Sequence, residues 1–211
     1  MSINLETLAC KYGSNANANY SQPQISASQK HAIFRCVRYV VFFMKDILQN
    51  IKLATAKATT FDTLGDSLVA VLSSHIHFDR LNIGLIDLDH YQFSDVYVFG
   101  HNVDGRERGH RRTLKNTVVE ASIRSDGGYY FGTSKTDEWL KRFPNFGPVL
   151  KSGIRSMLSV PVKVNEETIA ALVLAARDPK AYEKDSLKLA DSAAEIITPK
   201  IENLRLNAIY S

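Results

Sequence analysis

The sequence predicts an α+β fold. A central antiparallel sheet of about five or six strands carries N- and C-terminal helices on one face, and short helices plus a long loop cover the other. Three observations predict it. Apolar residues recur at helical spacing near both ends of the chain. Strand-like runs are grouped between those ends, and the last two form a hairpin pattern. The strands are not separated one by one by long helices, as a parallel sheet demands.

The elements follow in order. Residues 13–30 (GSNANANYSQPQISASQK) are rich in Asn, Ser and Gln and have little to bury, so residues 1–30 read as a flexible arm and 31–211 as a single domain. A long helix is predicted over about 31–56. Phe34, Val37, Val41, Met44, Leu48 and Ile51 alternate at spacings of 3 and 4, close to a heptad seam, and Phe42, Phe43 and Ile47 widen the stripe. A second helix places Leu64, Leu68, Val71, Leu72 and His75 on one face.

LNIGLIDLD (81–89) and FSDVYVFG (93–100) read as strands joined by a polar turn. A long excursion follows: a charged loop over 101–112, a short strand near RRTLKN, a short helix in 117–125, a strand in GGYYFG (127–132), and helical turns in DEWLKRF and PVLKSG. Residues 153–176 then read as a hairpin, with Pro161 inside its first strand. A residue without an N–H predicts a bulge there or a place beside the sheet edge. Ala170, Ala171, Ala175 and Ala176 in the second strand either let a helix lie close or simply fill the core. The closing helix, about 183–208, has the most regular stripe of all: Leu187, Ala190, Ala194, Ile197, Ile201, Leu204 and Ala208. Pro199 interrupts it at a cost of roughly 3 kcal/mol in an isolated helix.

Composition narrows the function classes. Lys and Arg number 26 against 22 Asp and Glu, and only Arg106, Arg108, Arg111 and Arg112 cluster densely, so direct nucleic-acid binding is not expected. The longest apolar runs fall well short of the ~20 residues a membrane span needs, and the first residues lack the order of a secretory signal. Cys10 and Cys36 have neither disulfide-framework nor metal-ligand spacing, and a cytoplasmic setting is the expectation. His75 and His77 lack the further ligands of a metal set, so no metal site is expected. No phosphate-binding glycine loop or nucleophile elbow is present.

GIRSMLSVPVKVNEETIAALVLAARDPKAYEKDSLKLADSAAEI (153–196) resembles the C-terminal half of GAF domains, and FDTLGDSLVAVLSSHIHFDRLNIGLIDLD (61–89) resembles their second helix and first strand. The resemblance covers roughly residues 40–208 and implies a GAF/PAS-like sheet and a sensory role. Asn165-Glu166-Glu167 replaces the glycine usual in the hairpin turn, which predicts a longer or differently shaped turn. The NKxD/E signature of cyclic-nucleotide-binding members is absent. Enzymatic relatives that reduce free methionine sulfoxide, and bilin-binding relatives, use a cysteine in the domain body. This chain has none after Cys36, so no enzyme activity and no catalytic residue are expected.

What remains is binding, with the cofactor unknown. The resemblance places a ligand between the sheet and the excursion. Matching residues are Phe99 and His101, then Tyr129, Tyr130, Phe131, Trp139, Phe143 and Phe146, with Ser156, Leu158 and Val160 if alternate positions of their strand face inward. These aromatics either wall a pocket for a neutral or aromatic small molecule or pin the loop to the core. The arginine cluster, with His101 and His110, either attracts an anion or forms a solvated loop tip. The two terminal stripes predict a homodimer through Phe34, Val37, Val41, Met44, Leu48, Ile51, Leu187, Ala190, Ala194, Ile197, Ile201 and Leu204. The whole reads as a regulatory sensor that relays ligand binding through helices to the output domain of a signalling protein or transcription regulator. A ligand-free dimerisation or protein-interaction module is the alternative.

Overall fold

A computed structural model describes residues 44–125 and 127–210, with the side chains of Ile209 and Tyr210 left out of account. The predicted arm and the first part of the predicted first helix, with Phe34, Val37 and Val41, lie outside the described residues.

Residues 44–56 are helical (α1) and bury Ile47 and Ile51. The helix α2, Phe61–Leu72, starts at a capping box. Thr60 Oγ1 accepts from the Thr63 backbone N–H and Thr63 Oγ1 accepts from the Thr60 N–H, each at 3.1 Å, so two of the helix's free donors are satisfied. Leu64, Leu68 and Leu72 form its fully buried face.

The sheet has six strands, all paired antiparallel, in the order β3-β2-β1-β6-β5-β4. They are β1 (Arg80–Asp87), β2 (Gln92–Gly100), β3 (Arg111–Thr113), β4 (Tyr129–Gly132), β5 (Ser156–Val164) and β6 (Glu167–Ala176). The excursion also contains α3 (Val118–Arg124), α4 (Thr136–Arg142), a 3-10 turn at Pro144–Phe146 and α5 (Gly147–Lys151). The last helix, α6, spans Lys184–Tyr210.

Two layers of core flank the sheet. On one face, Leu81, Ile83, Leu158, Val160, Leu172 and Leu174 pack with Ile51, Leu64, Leu68, Ala190, Ile197 and Ile201 from α1, α2 and α6. On the other, excursion residues Val103, Leu114, Val118, Val119 and Trp139 join Phe93, Ala171, Val173 and Ala175 in two adjoining clusters. Ala170 and Ala176 serve the first face, Ala171 and Ala175 the second, so the alanine run keeps the central strand thin on both sides.

The hairpin resolves both irregularities in its sequence. Pro161 lies two residues beyond Ser159, where the β4 pairing ends, and just before the register shift at Val162/Lys163. It therefore costs no hydrogen bond to β4. The turn is not longer than usual. Val164 pairs with Glu167, leaving Asn165 and Glu166 as a two-residue loop with φ of 49° and 68°, the left-handed values a type I′ turn requires. Asn165 tolerates that conformation, and Glu166 adopts it without glycine's freedom. Pro199 sits on an exposed side of α6, and the carbonyl it leaves without a helical donor belongs to exposed Glu195. The helix thus continues past the proline with the defect on its wet face.

The predicted dimer seam is largely occupied by the chain's own core. Ile51, Ala190, Ala194, Ile197, Ile201 and Leu204 are all at most 6% exposed within one chain, while Met44, Leu48 and Leu187 are half-buried. The described buried residues of the stripe lie in the core formed by the sheet with α1, α2 and α6.

Candidate functional site

The excursion face holds a small, partly open cavity with a mostly apolar wall and a few polar side chains set into it. In β1, Leu81 and Ile83 point to the terminal helices, so Arg80 and Asn82 point the other way. In β2 a bulge does the same work. Ile83 pairs with Tyr97 but Gly84 pairs with Asp95, so Val96 is an extra residue. The alternation flips there: Tyr97 joins the helix-face core, while Phe93 and Asp95 face the excursion.

Asp95 is fully buried and well held. Oδ1 accepts from Asn82 Nδ2 at 2.8 Å, and Oδ2 accepts from Arg112 Nη2 at 2.5 Å. Its backbone carbonyl accepts from the Gly109 N–H at 2.8 Å, tying the charged loop to β2. Arg112 lies over the Phe93 ring, 4.5 Å from its centroid. Arg80, 5% exposed, donates to the carbonyls of His101 (2.7 Å) and Arg106 (2.5 Å). Arg106 donates to the Asn145 carbonyl at 3.0 Å and lies over Phe146. Burial, followed by the neighbouring Arg112 charge, lowers the Arg106 pKa to about 10.

These groups surround a cavity of about 40 Å³, completed by Thr117, Val118, Val149, Ile154, Met157, Val173 and Ala175. A cavity needs roughly 10–15 Å³ on this measure to hold one water, so the space suits about three or four non-hydrogen atoms. The arginine cluster thus divides. Arg106 and Arg112 turn inward, whereas Arg108 pairs with Asp62 on the exposed surface at 2.6 Å and Arg111 is exposed. His110 pairs with Glu107 at the loop tip, 2.6 Å apart.

Of the ligand residues predicted from sequence, only Phe146 lines this cavity. Trp139, Phe143 and Phe146 are at most 3% exposed and form one aromatic cluster, so they pin the excursion. The Trp139 and Phe146 rings stack with centroids 5.5 Å apart. Phe131 meets Trp139 edge-on at 4.8 Å, and Tyr129 meets Phe143 edge-on at 6.4 Å. Tyr130, Phe131 and Ser156 instead border a second cleft of about 280 Å³ beside the β4 edge, with Pro179 and Tyr182. Ser156 Oγ donates to the Asp178 carbonyl at 2.6 Å. Phe99 is 42% exposed and packs edge-on to Phe78, and His101 Nε2 meets the Ser152 carbonyl at 2.6 Å.

Leu158 and Val160 correct the predicted phase of β5. They belong to the terminal-helix core, while Met157 lines the cavity and Ser159 Oγ meets Ser122 Oγ of α3 at 2.9 Å. The strand is apolar or small at both parities, so its sequence carries no alternation to set the face. Arg80, Asn82 and Asp95 escaped the sequence reading, although polar residues within apolar strands are the signal that marks them.

The fold is that of GAF domains. A GAF domain of an Acinetobacter phosphoenolpyruvate-protein phosphotransferase superposes with a TM-score of 0.63 at 15% identity, over 79% of this chain and 97% of that one. The GAF domain of a two-component sensor histidine kinase from Bacillus halodurans gives 0.60 at 14% identity, over 72% and 99%. The free methionine-R-sulfoxide reductase of Neisseria meningitidis, solved with its substrate, gives 0.60 at 15% identity, over 78% and 91%. No protein-family model and no curated protein matches the sequence.

Proposed function

We propose that this GAF-fold chain is a regulatory sensor domain that takes a small molecule into the arginine-lined cavity and passes its occupancy through the sheet to the terminal helices. One observation carries the reading. Val173 and Ala175 of β6 and Met157 of β5 line the cavity, while their chain neighbours Leu172, Leu174 and Leu158 lie in the core shared with α6. A single strand layer separates ligand from helix, and a displacement on one side is felt on the other because packed cores deform little. The neighbouring structures of a histidine kinase and a phosphotransferase support a regulatory role by fold analogy.

The reading is non-catalytic. The cavity lining supplies guanidinium, amide, carboxylate and hydroxyl groups and, among the described residues, no thiol for the chemistry of the reductase neighbours. A cytoplasmic setting belongs to the same proposal; among the described residues no helix is long and apolar enough to cross a membrane. Output is proposed to pass through a second copy. The α1 and α6 surfaces left for it include Leu53, 62% exposed, and Leu206, 39% exposed, in place of the buried stripe.

Native mass spectrometry of protein purified without denaturation tests ligand and subunit count together, and hydrogen exchange with the ligand added tests the relay. The expected result is one small molecule per chain and altered protection in α6. A bound ligand that leaves α6 exchange unchanged would refute the relay.

A further inference from the structure

We infer that the ligand of this cavity is a small planar oxyanion of about four non-hydrogen atoms, such as a short carboxylate, bicarbonate or nitrate, held by Arg112 and Arg106. The inference rests on the sensing role proposed above and adds the ligand's charge and shape.

Three features of the cavity carry it. The first is charge. Arg80, Arg106 and Arg112 line the cavity against the single carboxylate of Asp95. Asp95 pairs with Arg112, whereas Arg80 and Arg106 donate to neutral backbone carbonyls. Among the described residues, no carboxylate is in ion-pair contact with Arg80 or Arg106. Burying an uncompensated charge is unfavourable, and an anion relieves it in a way that a neutral solute does not.

The second feature is donor geometry. Arg112 uses Nη2 on Asp95 and its ring-facing surface on Phe93. Its Nε and Nη1 are buried, with no hydrogen-bond partner among the described residues. Those two nitrogens carry three N–H donors. Unpaired buried donors are unfavourable, and an oxyanion supplies acceptors for them.

The third feature is size. About 40 Å³ admits three or four atoms but no nucleotide or aromatic metabolite, whose pockets run to hundreds of Å³. Within this cavity, neither the volume nor the charge suits a neutral or aromatic ligand of that size. Much of the remaining wall, Val118, Val149, Ile154, Val173 and Ala175, is apolar, and an apolar wall lowers the local screening of a charge pair.

Thermal-shift titrations of the purified chain test this with sodium formate, acetate, nitrate and bicarbonate at fixed ionic strength. Formamide and acetamide serve as neutral counterparts. The expected result is a saturable rise in Tm with at least one planar anion and none with its neutral counterpart. Asp95→Asn removes the competing carboxylate and tightens the response by about tenfold, an increase that a purely structural role does not produce. Arg106→Met, confirmed as folded by circular dichroism, weakens it by at least about tenfold. An equal anion response in the wild type and both variants would overturn the site as a general salt effect. Stabilisation by the neutral amides alone would overturn the oxyanion and leave the sensing role standing. No response to any of these probes would overturn the oxyanion, while the sensing role is judged separately by native mass spectrometry and α6 exchange.

Discussion

Replacing Trp139 with alanine tests what holds the excursion over the sheet. The side chain has no exposed surface and stacks on Phe146, with Phe131 and Phe143 against its other sides. Its Nε1–H donates to both the Thr133 and Arg155 carbonyls, at 3.1 and 3.2 Å. Truncating a buried tryptophan costs about 3–5 kcal/mol, and lost aromatic pairings and the shared hydrogen bond place this site toward the upper half of that range. Taking about 4 kcal/mol and a urea dependence of about 2 kcal/mol/M, the unfolding midpoint falls by roughly 2 M. The assay is urea unfolding followed by far-ultraviolet circular dichroism, because Trp139 is the chain's one tryptophan and its removal abolishes the fluorescence signal. Trp139→Phe retains the ring contacts and is expected to lose less than half as much. A loss below about 1 kcal/mol for Trp139→Ala would refute the view that the aromatic cluster is the excursion's anchor.

Three further outcomes follow from the same geometry. Glu166→Gly relieves a left-handed residue in the hairpin turn, offset in part by glycine's freedom in the unfolded chain, and is expected to stabilise by about 0.5–1 kcal/mol in chemical denaturation. Ile201→Glu buries a charge in the helix-face core and is expected to unfold the chain, while Leu53→Glu leaves the melting temperature within a few degrees and weakens any dimer in sedimentation. Asp79 Oδ1 accepts from the Arg177 guanidinium at 2.8 Å and Oδ2 accepts from the Arg177 backbone N–H at 2.8 Å, and these bonds hold the carboxyl below its usual range. A depressed pKa contributes stability that is present above the unfolded value and lost as pH falls through the folded one. Asp79→Asn is therefore expected to cost about 1 kcal/mol at pH 7 and to converge with the wild type as pH falls through the depressed folded-state value, read from denaturation midpoints across pH.

The elements were legible because each rests on local chemistry: the Leu64, Leu68 and Leu72 face, the glycines around Tyr129–Gly132, the Val164–Glu167 hairpin. The aromatics of 139–146 were legible as loop anchors, one of their two readings, for the same reason. The site was far less so. Arg106, Arg108, Arg111 and Arg112 look alike in one dimension, and partners far away in sequence decide which turn inward: Asp95 for Arg112 and Asn145 for Arg106. The face of Asp95 depends on a one-residue bulge at Val96, which no residue type announces. The face of Leu158 was lost because β5 is apolar or small on both sides. Period alone marks Ile201 as part of an apolar stripe but does not say whether a sheet or a second chain covers it.

The most direct measurement is nuclear magnetic resonance of the arginine side-chain Nε–H groups during titration with acetate or nitrate, with Arg112 assigned by comparison with Arg112→Lys. The cavity site predicts a saturable shift centred on the Arg112 resonance, accompanied by backbone shifts at Val173, Ala175 and α6. An Arg112 resonance that stays still, or that drifts linearly with salt alongside exposed Arg108 and Arg111, would contradict it.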